Sequence, residues 1–318
     1  MRAKTTCLTL AVSMFMGVTA QADEVSFNDA LLGGKFSGDI NTVIQFGSES
    51  DAGISAGPMS DTKTANTALS LKYETANFNG FKFGAAVQAG YDWKLDDGQP
   101  WQVQGEDDER NSIQSINLQN AYIAYAFDPE ATKSTIRIGR QDIISPLVMR
   151  SSMYPMKDAF DAVVLTNKDI SGTTFKLMYL ENWRKRYGDS SNNSILEKDA
   201  RFDGSVYSIY INNNSVKGLN IEGQYLSNDS DSTLAGDPPT NFFTSGPYDT
   251  TFLALNYKIP ESQVVLGTMY VDADYDKGAD TDLWGARVAT KFGKLGVTLA
   301  YTSTDDANSL PGTLGHVP

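Results

Sequence analysis

Histidine and cysteine are all but absent from this chain, with one of each, His316 and Cys7, in 318 residues. A serine hydrolase needs a histidine that a carboxylate can orient, and His316 stands near the C-terminal end without an acidic neighbour in sequence. A lone cysteine excludes an internal disulfide and a CxxC redox or zinc pair. HExxH, Walker and GxSxG patterns are missing too, and no carboxylates cluster at metal spacing within a candidate strand, so neither an enzyme nor a cofactor is implied. Past the N-terminal segment no apolar run approaches the roughly 18 residues of a membrane helix. There is no proline-rich linker to divide the chain, which reads as one domain. Basic residues are also scarce, 26 against 39 acidic for a formal charge of −13, which argues against a nucleic-acid partner. Acidic runs such as Asp107-Asp108-Glu109 read as solvated loop faces, which at most hold Ca²⁺ or bridge lipopolysaccharide.

The N-terminus carries an export signature. Arg2 and Lys4 precede an apolar run from Leu8 to Val18 that ends in Thr19-Ala20-Gln21-Ala22, the charged start, short apolar middle and A-x-A exit of a cleaved signal peptide. Residues 1–22 are expected to leave, and residues 23–318 to form the mature domain. Cleavage removes Cys7, and removing Arg2 and Lys4 takes the formal charge from −13 to −15. An exported chain without a disulfide staple must draw its stability from a large core or from a membrane.

What repeats along the remainder is an alternating strand of about ten residues followed by a break. In Lys35 to Phe46, Phe36, Ile40, Ile44 and Phe46 share one face while Lys35, Ser37, Asp39 and Gln45 share the other. Leu69, Leu71 and Tyr73 oppose Ser70, Lys72 and Glu74; Phe83, Val87 and Tyr91 oppose Lys82 and Gln88. Phe175, Leu177, Tyr179 and Trp183 alternate with Lys176, Asn182 and Arg184, and the rhythm continues through Leu219–Tyr225, Leu253–Tyr257, Trp284–Phe292 and Leu295–Tyr301. Ile116 to Phe127 and Phe160 to Asn167 carry apolar residues in both phases and show no unique lipid face. About thirteen strands are visible.

Breaks alternate between short turns, such as 77–80, 128–134, 167–172, 212–218, 260–262 and 293–294, and long segments at 47–66, 92–115, 140–159, 185–203, 227–249 and 272–281. Short inner turns and long outer loops are the signature of an all-β, antiparallel transmembrane barrel of the bacterial outer membrane. Aromatics near the turns (Phe81, Phe127, Tyr257, Phe292) and near the long loops (Tyr91, Trp93, Trp183, Tyr270, Tyr301) suggest two interfacial girdles. A soluble secreted β-sheet binding protein would also alternate, but its strands run nearer five or six residues. An outer-membrane barrel hydrolase would need a histidine oriented by an acid, and His316 has no acidic neighbour in sequence.

From Ile138 to Leu180 the chain resembles the OprD-like family of outer-membrane porins, through Ile138-Gly139-Arg140-Gln141, Ser145-Pro146-Leu147, Arg150-Ser151-Ser152-Met153, Ala159-Phe160-Asp161 and Val164-Leu165-Thr166-Asn167-Lys168-Asp169-Ile170. The resemblance implies a monomeric barrel of eighteen strands, a third outer loop folded inward, and basic side chains that guide carboxylate-bearing solutes such as amino or organic acids. Thirteen strands do not close such a barrel, and Leu314-Gly315-His316-Val317-Pro318 is not a terminal aromatic strand, so a C-terminally incomplete chain is expected.

Strand phase puts Arg137, Arg184 and Arg287 on polar faces, where they should line the lumen, since mid-membrane arginine facing lipid costs roughly 2 to 4 kcal/mol. Arg140, Arg150 and Lys157 in the third loop would complete a basic track, with Asp142, Asp158 and Asp161 as partners that could instead merely fix the loop. Lipid, lipopolysaccharide and small solutes are the expected partners. Fractionation should recover the mature chain with the outer membrane; recovery from the periplasm without detergent would favour the soluble sheet.

Overall fold

The computed structural model describes residues 26–46, 63–93, 116–128, 130–150, 155–184, 199–230, 247–276, 280–304 and 314–315. The leader 1–22, the loop acids from Asp96 to Glu109 and His316 lie outside the described residues, as does the side chain of Asp92. Among the described residues the strands are β1 (Lys35–Phe46), β2 (Lys63–Glu74), β3 (Phe81–Asp92), β4 (Ile116–Ala126), β5 (Ser134–Gln141), β6 (Val148–Met149), β7 (Ala159–Asn167), β8 (Thr173–Arg184), β9 (Asp199–Asn213), β10 (Leu219–Asn228), β11 (Tyr248–Lys258), β12 (Val265–Tyr275), β13 (Thr281–Phe292), β14 (Leu295–Thr304) and β15 (Leu314–Gly315). β1 to β5 and β7 to β14 form one 13-stranded sheet in which every strand pairs antiparallel with its neighbours in sequence. The thirteen strands and their alternating connections are those read from the sequence. β6 and β15 form a separate parallel pair, Leu314 opposite Val148.

The wall is inverted relative to a water-soluble protein. Phe36, Ile40, Leu71, Val87, Leu253 and Val288 are exposed, whereas Ser70, Gln88, Asn117 and Gln224 on the opposite phase are buried. Soluble monomers rarely expose a contiguous apolar patch beyond a few hundred Å². A band that recurs on strand after strand, with the polar phase turned inward, is a surface that lipid solvates.

Both strands of mixed phase have a structural reason. In β4 the register with β3 shifts between Ala86 and Val87, so that Asn120 opposes Ala86 and Leu118 opposes Val87. Gln119 is the extra residue, and the bulge returns Ile116 and Leu118 to the same face as Ala121 and Ile123. In β7 the inward phase is itself apolar: Phe160, Ala162 and Val164 pack in a cluster with Ile143, Leu147 and Val148 of the segment joining β5 to β7.

A second bulge, between Leu180 and Asn182 in β8, overturns part of the sequence phase. Trp183 does not continue the outward row of Phe175, Leu177 and Tyr179; it opposes Phe160 and is buried in the inner cluster. Asn182 and Arg184 thereby move to the phase shared with Asp161.

A short helix, α1 (Phe27–Leu32), precedes the sheet and had no counterpart in the strand rhythm. Ser26 caps it by accepting from the Asp29 N–H. The Phe27 ring meets Phe78 and Phe83 edge-on at 5.7 and 5.8 Å, docking the helix beside the β2–β3 turn.

Neighbouring turns are tied together by Asp169 in the β7–β8 connection. Its carboxylate accepts from the backbone N–H of Lys133, from the Thr132 hydroxyl and from the Asn167 amide. These bonds, the Lys133 N–H foremost, hold its carboxyl below the ordinary aspartate range. A depressed folded-state value means the contribution is complete above the unfolded value of about 3.9 and is lost as pH falls through the folded one. Exchange of the Lys133 amide should therefore accelerate as pH drops below that range, after correction for intrinsic rates. Asp169→Asn should abolish the step; a step that persists in this variant would contradict the assignment.

Candidate lumen and constriction

Of the segment between β5 and β7, the described residues 142–150 and 155–158 enter the space on the inward face of the sheet. At one end it is held by apolar burial: Leu147, Val148 and Ile143 pack against the inner wall formed by Phe160, Met178, Leu180, Val206, Tyr210 and Leu226. Full burial of such side chains contributes roughly 1.5–3 kcal/mol each. Gln224 of β10 adds a polar clamp, accepting from the Leu147 N–H at 2.8 Å and donating to the Ser145 hydroxyl at 3.0 Å. Ser208 accepts from the same amide nitrogen at 2.8 Å.

At its other end the segment reaches the opposite strands. The amide of Gln88 on β3 accepts from the Lys157 N–H at 3.0 Å and donates to the Lys157 carbonyl at 2.7 Å. The Lys157 ammonium meets both carboxylate oxygens of Asp39 on β1 at 2.8 Å. The described residues of this segment, the strap, thus contact β10 through Leu147 and β3 and β1 through Lys157. The strap leaves two cavities, both lined by Asp142, of about 330 Å³ toward the short turns and about 220 Å³ against β1 to β4.

Charged residues that line the larger cavity, among them Glu74, Arg137 and Lys176, are engaged by tyrosines of the inner wall. Gly84 opposes Tyr122 in the β3–β4 register, and a Cβ at Gly84 would collide with the Tyr122 ring, so the absent side chain makes room for that ring on the inner wall. Tyr122 donates to Glu74 at 2.5 Å, and Lys82 lies 3.3 Å from the same carboxylate. The Arg137 guanidinium sits over the ring at 4.3 Å and the Lys72 ammonium at 5.8 Å. The arrangement recurs on β9: Tyr210 donates to Glu222 at 2.6 Å while the Lys176 ammonium lies 5.1 Å from its ring and 3.3 Å from the Ile144 carbonyl. A cation resting on an aromatic face is held without a bound carboxylate, and its donors stay available to an anion. Lys72, Lys82, Lys176, Tyr122 and Tyr210 were not singled out as site residues in the sequence, although Lys72, Lys82 and Lys176 all stood on polar phases; the tyrosines beneath Lys72, Arg137 and Lys176 are not visible without the register.

The anticipated site residues divide into four groups. Arg137, Arg150 and Lys157 line the cavities, Arg150 with its guanidinium 3.7 Å from Asp142. Arg287 is on the inward phase of β13, away from these cavities, and donates to Asn256 at 2.7 Å across Gly267, which stands between them in the register. Asp158, at the end of the strap, is fully buried.

Arg140, Asp161 and Arg184 do not join the lumen. Arg140 belongs to β5 rather than to the loop, and the register sets it opposite Ala121 and Asp161, on the outward phase of Ile123, Ile138 and Val163. It forms a two-pronged ion pair with Asp161 at 2.8 and 2.9 Å, and Asn182 donates to the same carboxylate at 2.9 Å. Arg184 shares this phase through the β8 bulge and is itself buried.

An antiparallel wall, apolar outside and polar inside, with a strap across its interior defines the class: the fold of a transmembrane β-barrel channel. Comparison with solved structures places it more closely, since the fold is that of the Occ/OprD-family outer-membrane channels of bacteria. Pseudomonas aeruginosa OccK3 (OpdO) superposes with a TM-score of 0.60 at 14% identity, over 92% of this chain and 70% of that one. Acinetobacter baumannii OccAB3 gives 0.61 at 14% identity, over 87% and 68%. Pseudomonas aeruginosa OccD3 (OpdP) gives 0.55 at 14% identity over 77% of this chain, which spans only 54% of that channel's length. No family model matches the chain, and no curated protein is similar in sequence.

The Arg140–Asp161 pair is mostly buried, with side chains 11% and 24% exposed, so leaving the guanidinium without its charged partner is a stability matter. Asp161→Asn should destabilise the barrel by about 1–3 kcal/mol in a denaturant titration, with an unchanged reversal potential in a reconstituted channel. A shifted reversal potential would place the pair in the ion path.

Proposed function

We propose that the chain is an outer-membrane porin, a passive diffusion channel rather than an enzyme, and that its lumen favours small solutes bearing carboxylates. The supporting observation is the tyrosine-backed set of cations, Arg137, Lys72 and Lys176, on the inner wall around the strap. A carboxylate passing there meets a planar guanidinium able to form two parallel hydrogen bonds and two point charges within reach of it. The acids Glu74 and Glu222 are engaged by tyrosine hydroxyls, which lowers their capacity to neutralise those cations. Passage needs binding that is favourable yet weak, and cations distributed along a wall supply a series of such contacts.

The basic track anticipated from the sequence is thus reassigned. Arg137 is kept, Arg150 pairs with Asp142 within the strap, Lys157 serves chiefly to hold the strap against Asp39, and Lys72 and Lys176 join. Arg137→Ala and Lys176→Ala should each move the reversal potential toward cation selectivity and slow uptake of a small organic acid into liposomes, with uptake of a neutral sugar of similar size unaltered. Unchanged values in both variants would exclude carboxylate preference and leave an unselective pore.

A further inference from the structure

The helix α1 stands apart from the sheet and from both cavities. We infer that it is an interfacial anchor, laid on the lipid-facing wall at the short-turn end of β1 to β3, with its apolar side inserted among inner-leaflet phospholipids where headgroups meet acyl chains. Its contacts place it on the outward side. The Tyr73 hydroxyl donates to the Leu31 carbonyl, and Tyr73 opposes Phe36, which is exposed on the outward phase. Phe83, whose ring Phe27 meets, opposes the exposed Ile123 in the β3–β4 register. The Ala76 N–H donates to the Ala30 carbonyl at 3.0 Å, and Ala30 is fully buried against the wall. Gly34 lets the chain double back here, since a Cβ at that position would collide with the Tyr73 ring.

What the wall leaves uncovered is largely apolar. Successive helical residues are about 100° apart, so Phe27, Ala30 and Leu31 share one side, whereas Asp29, bonded to the Ser26 cap, lies nearly opposite. Phe27 is 47% exposed, Leu32 79%, and Leu31 is exposed between them. This apolar side is continuous with the lipid-facing band through Phe36, Tyr73 and Phe83. The aromatic row at this end goes on along the wall, with the rings of Phe81 and Tyr125 4.6 Å apart. Aromatic belts mark the level of the headgroups, which is the depth at which a short amphipathic helix rests. Short turns lie on the periplasmic side of an outer-membrane barrel, so the lipids concerned are those of the inner leaflet.

The test uses single cysteines bearing an environment-sensitive fluorophore, in a Cys7→Ser background, with heat-modifiable migration as the check that each barrel is folded. The protein is placed in phosphatidylcholine vesicles brominated either high on the acyl chain or at its end. Bromine high on the chain should quench the labels of Leu31→Cys and Leu32→Cys at least about threefold more than that of Asp29→Cys, and bromine at the chain end should quench them less. The label of Leu69→Cys, on the outward phase of β2, should show the opposite depth preference. Quenching at Leu31 and Leu32 no greater than at Asp29 would overturn the anchor, as would unquenched labels on α1 beside a quenched one at Leu69. Leu31→Ser combined with Leu32→Ser should leave conductance and reversal potential at wild-type values, because the helix lies outside the lumen. Altered values would place α1 on the pore side and refute the inference. The expected quenching together with a wild-type chain that does not conduct would overturn the channel reading alone.

Discussion

Everything in this structure follows from the requirement that a backbone crossing hydrocarbon must satisfy its own N–H and C=O groups. An antiparallel sheet with each strand beside its sequence neighbours meets that requirement with the shortest connections, and the thirteen described strands follow it without a crossover. Pairing then fixes which residues face lipid, because side chains alternate strictly and a one-residue slip would turn every apolar group inward. The exposed row of Phe36, Ile40, Leu71 and Val288 and the buried row of Ser70, Gln88 and Asn117 are two consequences of one register.

Function arises where the chain departs from that regularity. The long connection after β5 spends its apolar residues on the inner wall instead of on lipid, and β7 to β10 contribute apolar side chains to the inward face beneath it. Bulges at Gln119 and Glu181 allow the wall to keep its outward face while re-aiming individual side chains. Inside, tyrosines mediate between charges of opposite sign: the hydroxyl takes the carboxylate and the ring carries the cation. The lumen is polar without being neutralised.

Much of this was legible in the sequence. The alternation, the strand count, the contrast of short turns and long connections, and the inward third loop implied by the family resemblance all return in the structure. Phase failed at Trp183 and Arg184, because a bulge is one inserted residue that no periodicity announces. Arg140 was assigned to the long break at 140–159, whereas β5 continues to Gln141 and accommodates Gly139, at φ 116°, within it. Gln88 and Gln224 were read only as polar-phase residues, since an uncharged amide on a polar phase looks like any water-facing residue. Their role depends on contacts 69 and 77 residues away in the chain.

The central claim is that the polar phase of each strand faces a water-filled path and the apolar phase faces lipid. Single cysteines at Lys72, Lys82 and Arg137, and at their neighbours Leu71, Phe83 and Ile138, test it within one reconstituted system. A charged, membrane-impermeant thiol reagent should reduce the current at the first three positions and leave it unchanged at the second three. Equal block at both sets, or block confined to Leu71, Phe83 and Ile138, would contradict the account.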